Sequence, residues 1–293
     1  MSMKFLYVTD LHGDQTKYEK TMKLAIDKGI HLIVNGGDML PKVGNRFIEQ
    51  PLFIRGFLRE HFAKLQEHSI TYLAMLGNDD LVAVDDLFNE ACNEFNNVYN
   101  MANTYVTVDG YDFIGMNQIQ DHPFVCKDRG VVEKAYVRQQ QLCSVALLSE
   151  KNGYCEIPDW FNYATTKLQQ MRSILNDLPQ PKDPEKATYI MHMPPAGLRL
   201  GQLLFQDLDI GSVDIYEFLK EKQPALFLHG HIHECPDTAK GQWKNHIGRT
   251  ICVQPGQTEL YDDYMVYVEV DLDENVIERK FEQTHRIVVT RQL

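Results

Sequence analysis

Five short apolar runs each break abruptly into a loop carrying carboxylate, amide or imidazole side chains, and this recurrence restricts the fold more than any other feature of the chain. Phe5-Leu-Tyr-Val8 leads into Thr9-Asp-Leu-His-Gly-Asp14, and His31-Leu-Ile-Val-Asn35 into Gly36-Gly37-Asp38. Thr71-Tyr-Leu-Ala-Met-Leu76 leads into Gly77-Asn78-Asp79-Asp80, Ala187-Thr-Tyr-Ile-Met191 into His192-Met-Pro-Pro195, and Ala225-Leu-Phe-Leu228 into His229-Gly-His-Ile-His233. Runs this short and uniformly apolar read as strands covered on both faces. Between the first three lie helical stretches, one closed by Gly29 and a longer one near 46 to 67. That β-α-β-α-β alternation predicts a parallel sheet. Ligands gather outside the carboxyl ends of such strands. The positions that fall there are Asp10, His12, Asp38, Asn78, His192, His231 and His233.

Beyond residue 97 the pattern shifts toward antiparallel pairing. Asp109-Gly110, between Thr104-Tyr-Val-Thr-Val108 and Tyr111-Asp-Phe-Ile-Gly115, is a two-residue hairpin signature. Residues 117 to 160 carry no clear periodicity, after which Leu168, Met171, Leu175 and Leu178 mark one helix face, ended by Pro179, Pro181 and Pro184. Strands resume toward the end of the chain, as in Tyr264-Met-Val-Tyr-Val-Glu-Val270. With no linker, repeat or low-complexity tract, the expectation is one domain over residues 1–293 with an insertion at about 117–186 lining the cleft.

Composition narrows the function classes. The 293 residues are 44% hydrophobic and 24% charged, as in ordinary soluble globular proteins. The net charge of −12 opposes any binding mode that neutralises many phosphates, so nucleic acid and anionic membranes are disfavoured partners. No apolar run approaches the roughly 18 residues of a membrane helix, and Met1-Ser-Met-Lys4 leads directly into a strand, so a cytoplasmic protein is expected. Six cysteines without a Cys-x-x-Cys pair read as free thiols, with Cys235 an exposed-thiol candidate beside His233.

The seven candidates comprise two carboxylates, four imidazoles and one amide, a mixed oxygen and nitrogen set suited to divalent first-row metals. In their order they resemble the calcineurin-like metallophosphoesterases, whose blocks Asp-x-His, Gly-Asp, Gly-Asn-His-Asp/Glu, His and Gly-His-x-His match Asp10-Leu-His12, Gly37-Asp38, Gly77-Asn78-Asp79-Asp80, His192 and Gly230-His231-Ile-His233. Val253-Gln-Pro-Gly256 is similar to the family's later Asn-Pro-Gly turn. Gly230-His-Ile-His-Glu234 and Gly211-Ser212 extend the likeness to the Icc-related predicted phosphoesterases.

The resemblance implies a four-layer αββα sandwich of two mixed β-sheets flanked by helices, and a two-metal site. Asp10, His12, Asp38 and His233 would hold one divalent ion; Asp38, Asn78, His192 and His231 would hold the other, with Asp38 as the bridge. Manganese is the first expectation, with iron or zinc as alternatives. Two such ions against two carboxylates and a bridging hydroxide leave a charge of about +1 to meet a phosphate oxygen. The implied activity is hydrolysis of small phosphodiesters, or of activated monoesters, by that hydroxide. The alternatives are a catalytically silent binding protein of the same fold and, further off, a nuclease.

One residue departs from the family pattern. Where the family has His after the motif Asn, this chain has Asp79, at the catalytic position, while Asn78 is expected to contact substrate as well as metal. A carboxylate there repels phosphate, so Asp79 is expected to be a poor general acid; alternatively Asp79 or Asp80 caps a helix starting near Leu81. His229 reads as structural; His122 and Arg129 have no motif partner and stay outside the candidate site, although their place in the insertion could bring either to substrate. Pro41 stands where the related purple acid phosphatases place a ferric-binding Tyr, which excludes that centre. Oligomeric state leaves no signature.

Overall fold

The computed structural model describes residues 3–134, 141–204, 207–257 and 263–284. The first half contains β1 (Lys4–Val8), α1 (Gln15–Lys28), β2 (Leu32–Asn35), α2 (Arg46–Phe53), α3 (Arg59–Glu67), β3 (Thr71–Ala74), α4 (Asp85–Asn93), β4 (Val98–Asn100), β5 (Tyr105–Val108) and β6 (Tyr111–Met116). Short pieces follow: β7 (Ile119–Gln120), β8 (Gly130–Val131), β9 (Ala146–Glu150), β10 (Gly153–Ile157), α5 (Trp160–Lys167) and α6 (Met171–Asp177). The remainder is β11 (Ala187–Met191), α7 (Val213–Lys222), β12 (Leu226–Leu228), β13 (Lys244–Ile247), β14 (Thr250–Val253), β15 (Tyr264–Asp271) and β16 (Val276–Gln283).

Two six-stranded mixed sheets result, ordered β16-β15-β1-β2-β3-β4 and β13-β14-β12-β11-β6-β5. In the first, β1 to β4 run parallel and β15 lies antiparallel against β1. In the second, β6, β11, β12 and β14 run parallel and the edge strands are antiparallel. Period-two alternation explains the layering. Leu6 and Val8 face outward onto Tyr18, Phe53, Leu58, Phe62 and Phe88 of the helical layer. Phe5 and Tyr7 face the other sheet and meet Phe113, Ile190 and Leu228. The second sheet's far face, with Tyr189 and Phe227, is covered by Met171 and Leu175 of α6 and Phe218 and Leu219 of α7. The expected helix, sheet, sheet, helix order is thus realised.

Local signals explain most boundaries. Asp14 caps α1 by accepting the N–H groups of Thr16 and Lys17, and Gly29 ends it in the left-handed conformation at φ 62°. The stretch from 46 to 67 is helical throughout but changes pitch in a π turn at Ile54–Leu58, just after Pro51, which has no N–H to give. The Asp109-Gly110 turn has φ 48° and 84°, as a hairpin of this kind requires.

The expected helix face from Leu168 to Leu178 is shorter than its periodicity suggested. Only Met171 and Leu175 lie within α6; Leu168 and Leu178 sit in extended backbone on either side and reach apolar clusters from there. Nor do Asp79 and Asp80 cap a helix. The 3₁₀ turn at Val82–Val84 begins from Leu81 with no side-chain cap.

Candidate metal centre

The seven expected residues stand on loops leaving the carboxyl ends of β1, β2, β3, β11 and β12. Backbone bonds from Asp10 N–H to Gly37 O and from His12 N–H to Asp38 O, both 2.9 Å, zip the first two loops together. Two glycines permit the crowding. A Cβ at Gly77 would lie 2.2 Å from Asp38 Oδ1, and one at Gly230 2.5 Å from Asp10 Oδ2. Asp10, His12, Asp38 and His231 each adopt positive φ, between 45° and 73°, which turns their side chains inward from otherwise extended segments.

Ligand atoms of Asp10, His12, Asp38 and His233 all lie within 4.8 Å of one another. His12 Nε2 and His233 Nε2 approach to 3.0 Å, and His233 Nε2 is 3.4 Å from Asp10 Oδ1. His192 joins the same group, its Nε2 3.2 Å from Asp38 Oδ2 and 3.8 Å from Asp10 Oδ1. His231 packs edge-on against the His192 ring with centroids 5.3 Å apart, and its N–H donates to Asp10 Oδ1. Asn78 is buried on the β3 loop, and the N–H of the next residue, Asp79, donates to Asp38 Oδ1 at 2.8 Å.

The residues fit a cation. Asp10 Oδ2, Asn78 Oδ1, His12 Nδ1 and His192 Nε2 are buried without a hydrogen-bond partner, whereas buried polar atoms are ordinarily paired. His192 Nδ1 donates to the Gly36 carbonyl at 2.9 Å, so Nε2 is the ring atom left to ligate; without a cation it carries a proton 3.2 Å from Asp38 Oδ2, which against the effect of burial raises the ring to about 10. Electrostatics agree. Burial opposes ionisation of Asp38, yet the His192 imidazolium and the Asp79 N–H hold it well below the usual carboxylate range. Burial likewise acts against Asp10, but His233 brings it to about 2. Burial lowers His12 and His231 to about 3 and leaves them neutral, whereas Asp38 and Asp10 raise His192 and His233 against the same burial, so that protons hold the places beside the two carboxylates that a cation would take.

The family model for calcineurin-like phosphoesterases matches residues 3–235. The chain belongs to this family. Among solved structures, one chain 18% identical superposes with a TM-score of 0.61 over 97% of this phosphoesterase-family chain and 100% of its own length. TT1561 of Thermus thermophilus, also 18% identical, gives 0.56 over 96% and 99%. Likenesses at this identity concern the fold. No curated protein matches the sequence. Among the described residues no helix is long and apolar enough to cross a membrane.

Sequence reasoning missed two contributors. Asp80 is fully buried and its carboxylate takes the N–H groups of Met39, Leu40 and Gly77, binding the β2 and β3 loops to each other. Arg46, in the first turn of α2, places its guanidinium 3.7 Å from the Asp79 carboxylate and donates to the Asp79 carbonyl. No local pattern marks either role, because both bonds cross about 30 to 40 residues of sequence. Two expectations are corrected. Cys235 is fully buried, bonded to the Arg199 carbonyl, and burial pushes its thiol up to about 11. Arg129 does not face the centre, since its guanidinium is committed to the Gly77 and Asp80 carbonyls and the Asp85 carboxylate.

Proposed function

We propose that this chain is a dinuclear metal-dependent phosphoesterase that hydrolyses phosphodiesters, or phosphomonoesters with good leaving groups. The observation that carries the reading is the position of Asp38, whose Oδ2 lies 3.2 Å from His192 on one side and 4.0 Å from His12 on the other. A carboxylate so flanked can be shared. In this reading Asp10, His12, Asp38 and His233 hold one ion and Asp38, Asn78, His192 and His231 the other, with manganese first and iron or zinc as alternatives. Two such ions, when bound, supply Lewis acidity toward the phosphoryl group and activate water for attack.

The protein's own part is orientation and charge. Asn78 meets both metal and substrate. Asp79, paired with Arg46 and 4.0 Å from His12 Nδ1, is a poor proton donor to a strongly basic leaving group, which is why diesters and activated monoesters are preferred. Burial and Asp38 raise its carboxyl to about 6 against the pull of Arg46, and bound cations would lower it from there. The Asp79–Arg46 pair also favours a second reading, a silent metal-binding protein. Residues 1–293 form one domain in this proposal, with residues 117–186 as its insertion, and six free cysteines suit a reducing cytoplasm.

Metal analysis of the purified protein, with hydrolysis of bis(p-nitrophenyl) phosphate in manganese, decides between these. Metal together with turnover supports the enzyme; metal without turnover of any phosphoester supports the binding protein.

A further inference from the structure

Beside the candidate metal centre lies a cavity of about 290 Å³. Its lining combines polar Arg46, Asn78 and Asp79 with apolar Phe124, Val125 and Leu142. His122 stands among them, only 6% exposed, its ring centroid 5.4 Å from that of Phe124. Its Nδ1 accepts the Phe124 N–H at 3.3 Å, so Nε2 carries the proton. Among the described residues Nε2 has no protein acceptor.

His122 is also built in firmly. Lys127, a fully buried cation, donates to the His122 carbonyl and to the Asp121 carboxylate, which in turn accepts from Trp160 Nε1 at 3.0 Å. The Lys127 ammonium lies 5.2 Å from the Trp160 ring. A buried pair held on this many sides fixes backbone position.

The geometry points to this cavity as the seat of the substrate's ester group, with the His122 Nε2–H donating to a phosphoryl oxygen, Arg46 offsetting the charge of the Asp79 carboxylate it pairs with, and the apolar side chains holding a single aryl or heteroaryl ring. This rests on the phosphoesterase reading above and narrows it to a substrate class. Size and chemistry set the class. Just under the roughly 300 Å³ at which typical ligand pockets begin, the cavity has room for one ring beside a phosphate. The donor is a neutral imidazole, since burial and then Lys127 lower its pKa to about 4. Neutral N–H groups aimed at a phosphoryl oxygen orient and stabilise without transferring a proton.

The test uses manganese-loaded protein, phenylphosphonate and methylphosphonate as calorimetric probes, and phenyl esters as substrates. Phenylphosphonate should bind wild type more tightly than methylphosphonate. His122→Phe, which keeps the ring but loses the donor, should weaken phenylphosphonate about tenfold and lower kcat/KM roughly 10²-fold at unchanged metal content. His122→Gln should recover part of both losses. Equal affinity of His122→Phe and wild type for phenylphosphonate overturns the proposal. Should neither variant fold, Phe124→Ser, at a half-exposed ring, must weaken phenylphosphonate at least fivefold and leave methylphosphonate unchanged; no change there overturns it too. The two readings fail separately: binding that depends on His122 without any hydrolysis sinks the enzyme, and hydrolysis indifferent to His122 sinks this pocket.

Discussion

The Asp80 carboxylate accepts the backbone N–H of Leu40 at 2.8 Å, and with the Met39 and Gly77 amides on the same group it fastens the β2 loop to the β3 loop. Asp38 and Asn78 stand on those two loops, so their separation is set by a residue outside the proposed ligand set. Asp80→Ala leaves three buried donors unpaired at about 1–3 kcal/mol each, not fully additive. A loss of about 3 kcal/mol or more in urea unfolding is expected, along with lower metal content by mass spectrometry. Unchanged stability would show that the clamp is dispensable.

In the proposed ligand scheme Asp38 is shared between two ions and His231 serves one. Asp38→Ala is expected to lose both ions and His231→Ala only one, since a bridge serves both sites while a terminal ligand serves its own. Metal-to-protein ratios after dialysis measure this. Equal ratios for the two variants would argue against a bridge.

Asp79→Asn removes the carboxylate beside Arg46 and keeps its shape. Turnover of an activated aryl diester should stay within about tenfold of wild type at full metal content, against the 10²- to 10⁴-fold that a true general acid supplies. Abolished turnover with metal retained would make Asp79 the acid after all.

His61 provides a pH test remote from the metal centre. Its ring is 2% exposed and packed against Tyr18, Phe57 and Tyr72 at 5.4, 5.7 and 5.9 Å. Burial, helped by Lys64, lowers its pKa to about 3 from an unfolded value near 6.5. Above pH 6.5 the ring is neutral in both states. Below that the unfolded chain gains a proton the folded chain refuses, so stability falls as pH drops from 6.5 toward 3, by about 2 kcal/mol at pH 5. His61→Phe removes this contribution. Its melting temperature should therefore gain on wild type at pH 5 relative to pH 7.5; parallel melting curves at both pH values would contradict the assignment.

How much of this was legible in the sequence follows from the range of each interaction. The central strands were legible because Phe5 to Val8 and Ala187 to Met191 are buried on both faces, which leaves an uninterrupted apolar run. The ligands were legible because each follows such a run within a few residues. Asp80 was not, since a carboxylate after Asn78 looks like a helix cap until the Met39 and Leu40 amides arrive from another loop. Residues 117–186 were opaque for a similar reason: Asp121 is tied to Trp160, 39 residues on, and β9 pairs with β10 on one side and bridges through Leu147 to Cys126 on the other. Such partners have no signature in local periodicity.

Left-handed backbone at Asp10, His12, Asp38 and His231 carries a consequence for how the chain can change. Non-glycine residues in that region cost of order 1–3 kcal/mol where the surroundings enforce them. Glycine would rest more comfortably at all four positions, so the proposed metal centre sets side-chain grip against backbone ease. Mutational drift in a lineage released from that compromise would run toward glycine at these sites, yielding a sturdier protein with an empty hand.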